Sequence, residues 1–511
     1  MIEAIAPERG FGIAIRILAP AAQREGIMIA NGRSIPASHR IRQTVPIEAT
    51  ESGGPSALIG LPLVRDHRPS FCRESRGSII QGGRHHEHQG VSSMRIAILI
   101  LVTAASALSI TGFARAESAC HATLDPQDDS ASVERQRIDA AMPSLLTRYQ
   151  VPGAAVALVR DGAPDFSRGY GWAIPPQENG TPGVAVDAAS TLLQAASISK
   201  PVAALTVLSL VHQGRVALDR PIMPQVRESA GAWQLPASDF DSNAVTVARV
   251  LSHTAGLSVP GYGGFPPGTP AQSLLDSLKA AADADDTPLE VVMPPGQAFR
   301  YSGGGYSLLE LLIHDQAGEP FADAAAHRIF NPLGMTRSHF PAAPASSPPL
   351  AASFDDQGRP APARHFTALA AAGLQTTADD LARLLAVLMP GPCGEEPGRG
   401  LLPPELIQRL LTPMPQSDND LGLEGSRYGL GMALTLLDSG RQLAYHPGDN
   451  LPNWHNLIAA IPERRAGLVV MTNAAGGQAL RDHLLCIWLD ALGESHPALN
   501  ASDDCATTEV E

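Results

Sequence analysis

The 511-residue sequence predicts an α/β (α+β) fold: one antiparallel sheet built from both ends of the chain and flanked by helices, with an all-helical lobe inserted between. Three observations lead there. Two β-like runs joined by a tight turn lie near residue 160. Four short β-like runs spaced like an antiparallel meander lie between residues 429 and 472. The long stretch between them carries helical patterning broken by proline- and glycine-rich loops. Elements from the two ends that pair in one sheet leave a cleft where the inserted lobe meets it.

The elements follow in order. A first helix is predicted over 132–150, with Ile138, Met142, Leu145 and Leu146 on one stripe. Strands follow at 153–159 and 166–172, turning at Asp161-Gly162. A helix starting near Ser197 and ending before Gly214 is apolar on all sides through 202–208, which predicts burial. Helices at 308–317 and 379–388 stand out of the middle, while 258–272 and 340–364 are too rich in proline for regular structure. The strands expected at the far end are 429–435, 442–446, 456–461 and 467–472, followed by an amphipathic helix at about 478–492. The domain spans 130–495, with a sheet lobe of about 130–200 and 428–495 and a helical lobe of about 201–427. The polar tail 496–511 is expected to lack regular structure.

Residues 1–93 hold no lysine, eleven arginines and no sustained period, and read as an extension outside the folded domain, either disordered or not translated. The run His85-His86-Glu87-His88 has no accompanying ligands that would make it a metal site. Residues 94–116 have the form of a secretory signal peptide: Arg95, an apolar run from Ile96 to about Ile110, and Ala114-Arg115-Ala116 as the cleavage pattern. The expectation is a periplasmic or secreted protein cleaved near Ala116, touching the membrane only through that leader. Glu117-Ser118-Ala119 before Cys120 is no lipidation signal. Four cysteines follow the cleavage point, Cys120, Cys393, Cys486 and Cys505. An oxidising compartment permits two disulfides among them, and spacing does not choose the pairing, nor between a bridge and a packed thiol at Cys486.

The formal net charge is −14. Residues 1–93 carry eleven arginines against eight acids, and Arg95 and Arg115 add two more positive charges, so the remainder is more acidic still. That excludes a nucleic-acid surface. Lysine occurs twice, at Lys200 and Lys279, against thirty-five arginines. Arginine serves wherever a plain cation suffices, and only lysine can be tuned to lose its proton near neutrality. A retained lysine therefore points to chemistry.

Ser197-Ile198-Ser199-Lys200 places a hydroxyl and an amine three residues apart at a helix start, on one face. A desolvated amine can take the hydroxyl proton, and the helix N-terminus favours the charge of an oxyanion. Tyr301-Ser302-Gly303 follows a loop and precedes a helix, where a phenol can relay a proton. His446-Pro447-Gly448 ends a strand, where a backbone N–H can meet an oxyanion and glycine permits close approach. Each triplet alone is equally an ordinary capped helix, packing tyrosine or strand-ending turn. Their order and context together carry the argument.

With these three motifs, residues 135–493 resemble the serine β-lactamases and penicillin-binding proteins, and within them the class C-like branch. That branch includes β-lactamases, D-alanyl-D-alanine carboxypeptidases, D-aminopeptidases and carboxylesterases. The stretch Gly214-Arg215-Val216-Ala217-Leu218-Asp219 and the segment Leu251-Ser252-His253-Thr254-Ala255-Gly256-Leu257, whose His253 reads as structural, are similar to the same branch. So are Pro332-Leu333-Gly334-Met335, the segment from Gly373 to Leu381, and Val470-Met471-Thr472-Asn473. The resemblance implies a β-lactamase/transpeptidase-like fold and acylation of Ser197. It implies proton transfers shared by Lys200 and Tyr301, and an oxyanion hole from the N–H groups of Ser197 and Asp449. His446 and Gly448 would line the substrate, and no cofactor or metal is implied.

Two positions depart from the pattern. Gly303 stands where the branch usually has asparagine, and Pro447 where it often has threonine. Both weaken recognition of a β-lactam or an acyl-D-Ala-D-Ala peptide and leave the acylation chemistry intact. The reading is an exported hydrolase of an ester or small amide, with a D-Ala-D-Ala carboxypeptidase or β-lactamase as its alternative and a D-amino-acid peptide as a further substrate class. A non-catalytic peptidoglycan- or β-lactam-sensing domain is the rival of another kind. No G-x-S-x-G, P-loop, H-E-x-x-H or C-x-x-C motif competes.

Overall fold

The structure, a computed structural model, describes residues 2–4, 15–17, 132–341, 350–419 and 421–500. The leader at 94–116, the histidine run at 85–88, Cys120 and Cys505 lie outside the described residues. Two compact units are distinguished. Of the first, the strands Ile2–Ala4 and Ile15–Ile17 are described, paired antiparallel with Ile2 opposite Ile17. The second holds everything that follows.

Its centre is an eight-stranded antiparallel sheet. From the early part of the chain come β1 (Gly153–Arg160), β2 (Ala163–Ile174) and β3 (Val184–Ala185). After two strands that lie outside this sheet, β4 (Leu193–Ala196) and β5 (Leu374–Thr376), come β6 (Arg427–Tyr428), β7 (Ala433–Leu436), β8 (Gln442–Asn450), β9 (Trp454–Ile461) and β10 (Ala466–Thr472). The order across the sheet is β6-β7-β8-β9-β10-β1-β2-β3. The two ends of the domain meet at the β10–β1 seam, with Thr472 opposite Ala154 and Gly467 opposite Val159. The β1–β2 hairpin turns through Asp161 (φ 52°) and Gly162 (φ 77°), both in the left-handed region that a two-residue hairpin favours.

Helices cover both faces of this sheet, so β1 is buried along nearly its whole length instead of alternating. On one face lie α1 (Val133–Arg148), with Ile138, Met142 and Leu145, and the last long helix, α5 (Gly477–Ala491), with Leu480, Leu484 and Trp488. They pack on Val156, Leu158, Val470 and Tyr445. On the other face lie α2 (Ser199–His212), α3 (Gly303–Ala317) and α4 (Ala378–Ala386). These pack on Ala155, Ala157, Ile458 and Met471. The twelve residues of α2 from Ser199 to Leu210 are all buried, as its all-round apolar pattern predicts.

The inserted lobe is not wholly helical. Its strand β5 pairs with β4, which belongs to the part preceding the lobe, and Ser353–Phe354 pairs with Pro360–Ala361 in the proline-rich region expected to be irregular. The strand predicted at 429–435 is shifted to β7, and β8 runs four residues beyond its predicted end. Part of the tail also differs from expectation: Pro497–Asn500 forms a helical turn, and the preceding His496 is buried with its Nε2 3.0 Å from Thr435 Oγ1. Cys393 and Cys486 each stand in a disulfide, which decides against a free thiol at Cys486. No helix among the described residues is long and apolar enough to cross a membrane.

Candidate active site

Ser197 stands in the turn between β4 and α2. The entry is sharp: Ala196 has φ 53°, a left-handed conformation that costs a non-glycine residue about 1–2 kcal/mol. Ser199 holds the turn, donating from Oγ to Ala196 O at 2.6 Å and accepting the Leu374 N–H at 2.9 Å. The helix begins at Ser199, two residues later than predicted. The Lys200 N–H nevertheless closes on Ser197 O at 2.9 Å, which keeps the expected three-residue geometry.

Lys200 Nζ is 3.1 Å from Ser197 Oγ and donates to Ala371 O at 2.7 Å. It lies 4.9 Å from the centre of the Tyr301 ring and 5.5 Å from that of Tyr306. No carboxylate pairs with it among the described residues. Burial, with the side chain 2% exposed, therefore lowers its pKa to about 7. Burial pushes the Tyr301 phenol well above the usual tyrosine range, and the nearby Ser197 hydroxyl offsets only part of that. The phenol stays protonated where the amine is half neutral. When the amine is neutral, the 3.1 Å contact allows the Ser197 hydroxyl to donate to Lys200 Nζ in place of accepting from it.

His253 holds Tyr301 from both sides along the chain. Its carbonyl accepts the Arg300 N–H at 2.7 Å, its Nδ1 accepts the Ser302 N–H at 3.1 Å, and its ring centre is 4.2 Å from that of Tyr301. Ser302 caps α3, accepting the Gly305 N–H at 2.9 Å. At Gly303 the loop 259–262 presses close. Gly303 donates to Pro260 O at 3.1 Å, and an added Cβ would sit 3.3 Å from both Pro260 O and the Tyr262 ring. A side chain at this position would therefore have to push the loop back by a few tenths of an ångström.

The third motif lies on β8, beside Ser197, but its side chains are placed differently from expectation. The His446 ring is fully buried. Its Nδ1 faces Pro447 O at 2.6 Å, and a carbonyl only accepts, so Nδ1 carries the proton. Nε2 then accepts from the Tyr428 hydroxyl at 2.8 Å. Burial, with Lys200 nearby, lowers its pKa to about 3. This neutral ring is hydrogen-bonded to Tyr428. Gly448 permits close approach of the protein's own backbone: a Cβ there would lie 2.3 Å from Ala195 O.

Asp449 points its carboxylate the other way, towards α5. Oδ1 meets Arg481 Nη1 and His455 Nδ1, each at 2.6 Å. Burial would raise this carboxyl, but Arg481 and His455 outweigh it and hold it below the usual range. Asn456 was not singled out from sequence, yet it ties the two walls together. Its amide donates to Gln194 O at 2.9 Å and Gly448 O at 3.0 Å, joining β4 to β8. Only the register of β8 against β9, with Gly448 opposite Asn456, reveals that role. No cluster of metal-ligating side chains occurs among the described residues.

The β-lactamase family model matches residues 135–488. The chain belongs to the β-lactamase family. An esterase, EstB of Burkholderia gladioli, is 30% identical over 257 residues, 48% of this chain and 60% of that protein. A D-aminopeptidase of Gluconobacter oxydans (strain 621H) is 26% identical over 346 residues, 66% of this chain and 58% of that protein. The chain thus spans less than two thirds of the length of these curated relatives. The octameric penicillin-binding protein homologue from Pyrococcus abyssi shares the fold, with TM-score 0.57 and 24% identity over 70% of this chain and 77% of that one. These matches place the β-lactamase fold and its serine-hydrolase family on the domain read from the three motifs.

Proposed function

We propose that this protein is an exported serine hydrolase that forms an acyl-enzyme on Ser197 and hydrolyses an ester or a small amide. The observation that carries the reading is a buried lysine without a counter-ion, its amine 3.1 Å from a serine hydroxyl. With a pKa of about 7, half the amine is free to accept a proton near neutrality.

Ser197 Oγ attacks the substrate carbonyl carbon while its proton passes to Lys200 Nζ. The oxyanion is met by the N–H groups of Ser197 and Asp449. The tetrahedral adduct collapses as the bond to the leaving group breaks. Tyr301 gives that group its proton and is reprotonated by the Lys200 ammonium. Water then attacks the acyl carbon, giving its proton back along the same pair, and frees Ser197. Lys200 is the base in this scheme because Tyr301 keeps its proton.

Gly303 and Pro447 support an ester or small amide over a β-lactam. The relatives named esterase and D-aminopeptidase agree with that range. The leader pattern at 94–116 and the disulfides at Cys393 and Cys486 support export to an oxidising compartment.

The test is intact mass after exposure to a fluorophosphonate and, separately, a penicillin, beside Ser197→Ala. A fluorophosphonate adduct absent from Ser197→Ala is the expected result. A lasting penicillin adduct would shift the reading to a carboxypeptidase-like site. No adduct on folded protein would leave the sensing domain as the better account.

A further inference from the structure

Lys200 has two anchors, the Ser197 hydroxyl and the Ala371 carbonyl, and the second needs a support of its own. Ala371 lies in a helix of only four residues, Leu369–Ala372, too short to be stable by its own hydrogen bonds. Its entry is held instead by α3, where Glu310 Oε2 accepts the Ala370 N–H at 2.9 Å. The 369–370 peptide that Glu310 grips is thus one peptide unit removed from the 371–372 peptide, whose carbonyl grips Lys200, within the same four-residue turn.

Glu310 is 6% exposed and has no arginine or lysine partner among the described residues. Burying a carboxyl without a cation is costly, and the acyl-transfer steps do not use it. It stands one turn beyond Tyr306 on α3, so the helix presents both towards Lys200 and the 369–372 turn.

We propose that Glu310 is a positioning residue for the reaction: by fixing the 369–372 turn it sets the Ala371 carbonyl, and through it the place and basicity of the Lys200 amine. The inference rests on the acyl-transfer reading above. Burial raises the Glu310 carboxyl to about 8 against the pull of the Ala370 N–H, so near neutrality it is mostly uncharged and acts through hydrogen bonding. The other titratable groups around Lys200 are Tyr301, Tyr306, His253 and His446. Tyr262 and Asp283 lie on the Glu310 side. All are left unchanged by the test.

The test follows the rate of fluorophosphonate labelling of Ser197 against pH, with melting temperatures measured alongside. Glu310→Met removes the acceptor at similar volume. Labelling should slow on the order of 10- to 100-fold, the cost of misplacing a reacting group by a fraction of an ångström to one ångström. Its rising limb should move to lower pH, because a carbonyl that no longer meets Nζ no longer favours the ammonium. Glu310→Gln keeps an acceptor for Ala370 and should stay within about twofold of wild type with its limb in place, a rescue that a merely volume-filling role would not need. If Glu310→Met does not fold, Glu310→Asp, which withdraws the carboxyl by one methylene, should show the same slowing and shift. Wild-type rate and an unshifted limb in Glu310→Met, or in Glu310→Asp where that replaces it, overturn the inference, as does a Glu310→Gln as impaired as the deletion. If wild type itself fails to label, the acyl-transfer reading falls and takes this one with it. If wild type labels, only the positioning role is at stake.

Discussion

Two cations are buried against opposite faces of the sheet, and their surroundings differ in one respect. Arg481 on α5 is 1% exposed and meets Asp449 at 2.6 Å and Asp482 at 3.3 Å. Burial opposes its charge, but the two carboxylates outweigh that and keep the guanidinium charged. Lys200 on α2 is buried to the same degree with no carboxylate, and its pKa falls. A paired charge serves as structure, fixing Asp449 and, through Arg481 Nη1 to Asn456 O at 2.9 Å, the strand beside it. An unpaired one has its pKa lowered towards neutrality, as the base proposed above requires.

The largest expected effect breaks the unpaired side. Lys200→Met should slow acylation of Ser197 by on the order of 10²–10⁴-fold, the span of general-base catalysis. Stability should move the other way. With a pKa of about 7 folded against 10.5 unfolded, the native state binds fewer protons than the unfolded chain over that window. Wild-type stability therefore rises as pH climbs from about 7 to 10.5, and below 7 the burial cost is fully present. Lys200→Met should remove that slope and be more stable than wild type at pH 7, as urea unfolding at pH 7 and pH 10 would read. A retained slope would mean that another group titrates.

Breaking the paired side comes next. Arg481→Met leaves Asp449 without its main partner and should lower stability by about 3 kcal/mol in denaturant unfolding. An unchanged midpoint would show that His455 alone suffices. The smallest effect sharpens the contrast at the strand between the two cations. Gly448→Ala forces a Cβ towards Ala195 O and should cost about 1–3 kcal/mol, as overpacking does. Because Ala195 is two residues from Ser197, labelling should slow as well. Normal labelling in a destabilised variant would separate the strand contact from the site.

Much of this architecture is legible in the sequence, for physical reasons that can be named. The sheet from both ends and the helical face around Lys200 follow from periodicity, and the Ser197–Lys200 pair from a spacing that a single turn enforces. Lys200 could be singled out because arginine had taken nearly every other cationic place. Glu310, Asn456 and Arg481 could not. Each acts on a partner distant in sequence: Glu310 on Ala370, Asn456 on Gln194, Arg481 on Asp449. One glutamate on an apolar helix looks like any other until the neighbouring turn is in place. The partners of His446, Pro447 O and the Tyr428 hydroxyl, and the closeness of Gly448 to Ala195 O likewise depend on which way the strand faces, which the sequence does not reveal.

The β10–β1 seam bears on how the protein is made. Residue 154 leaves the ribosome more than three hundred residues before its partner 472, so the nascent chain carries Ser197 and Lys200 long before the sheet that backs them can close. A chain stopped short of β10 would therefore hold the serine–lysine pair together with Tyr301, Tyr306 and Ala371, the groups that bury the amine, but without the closed sheet behind them.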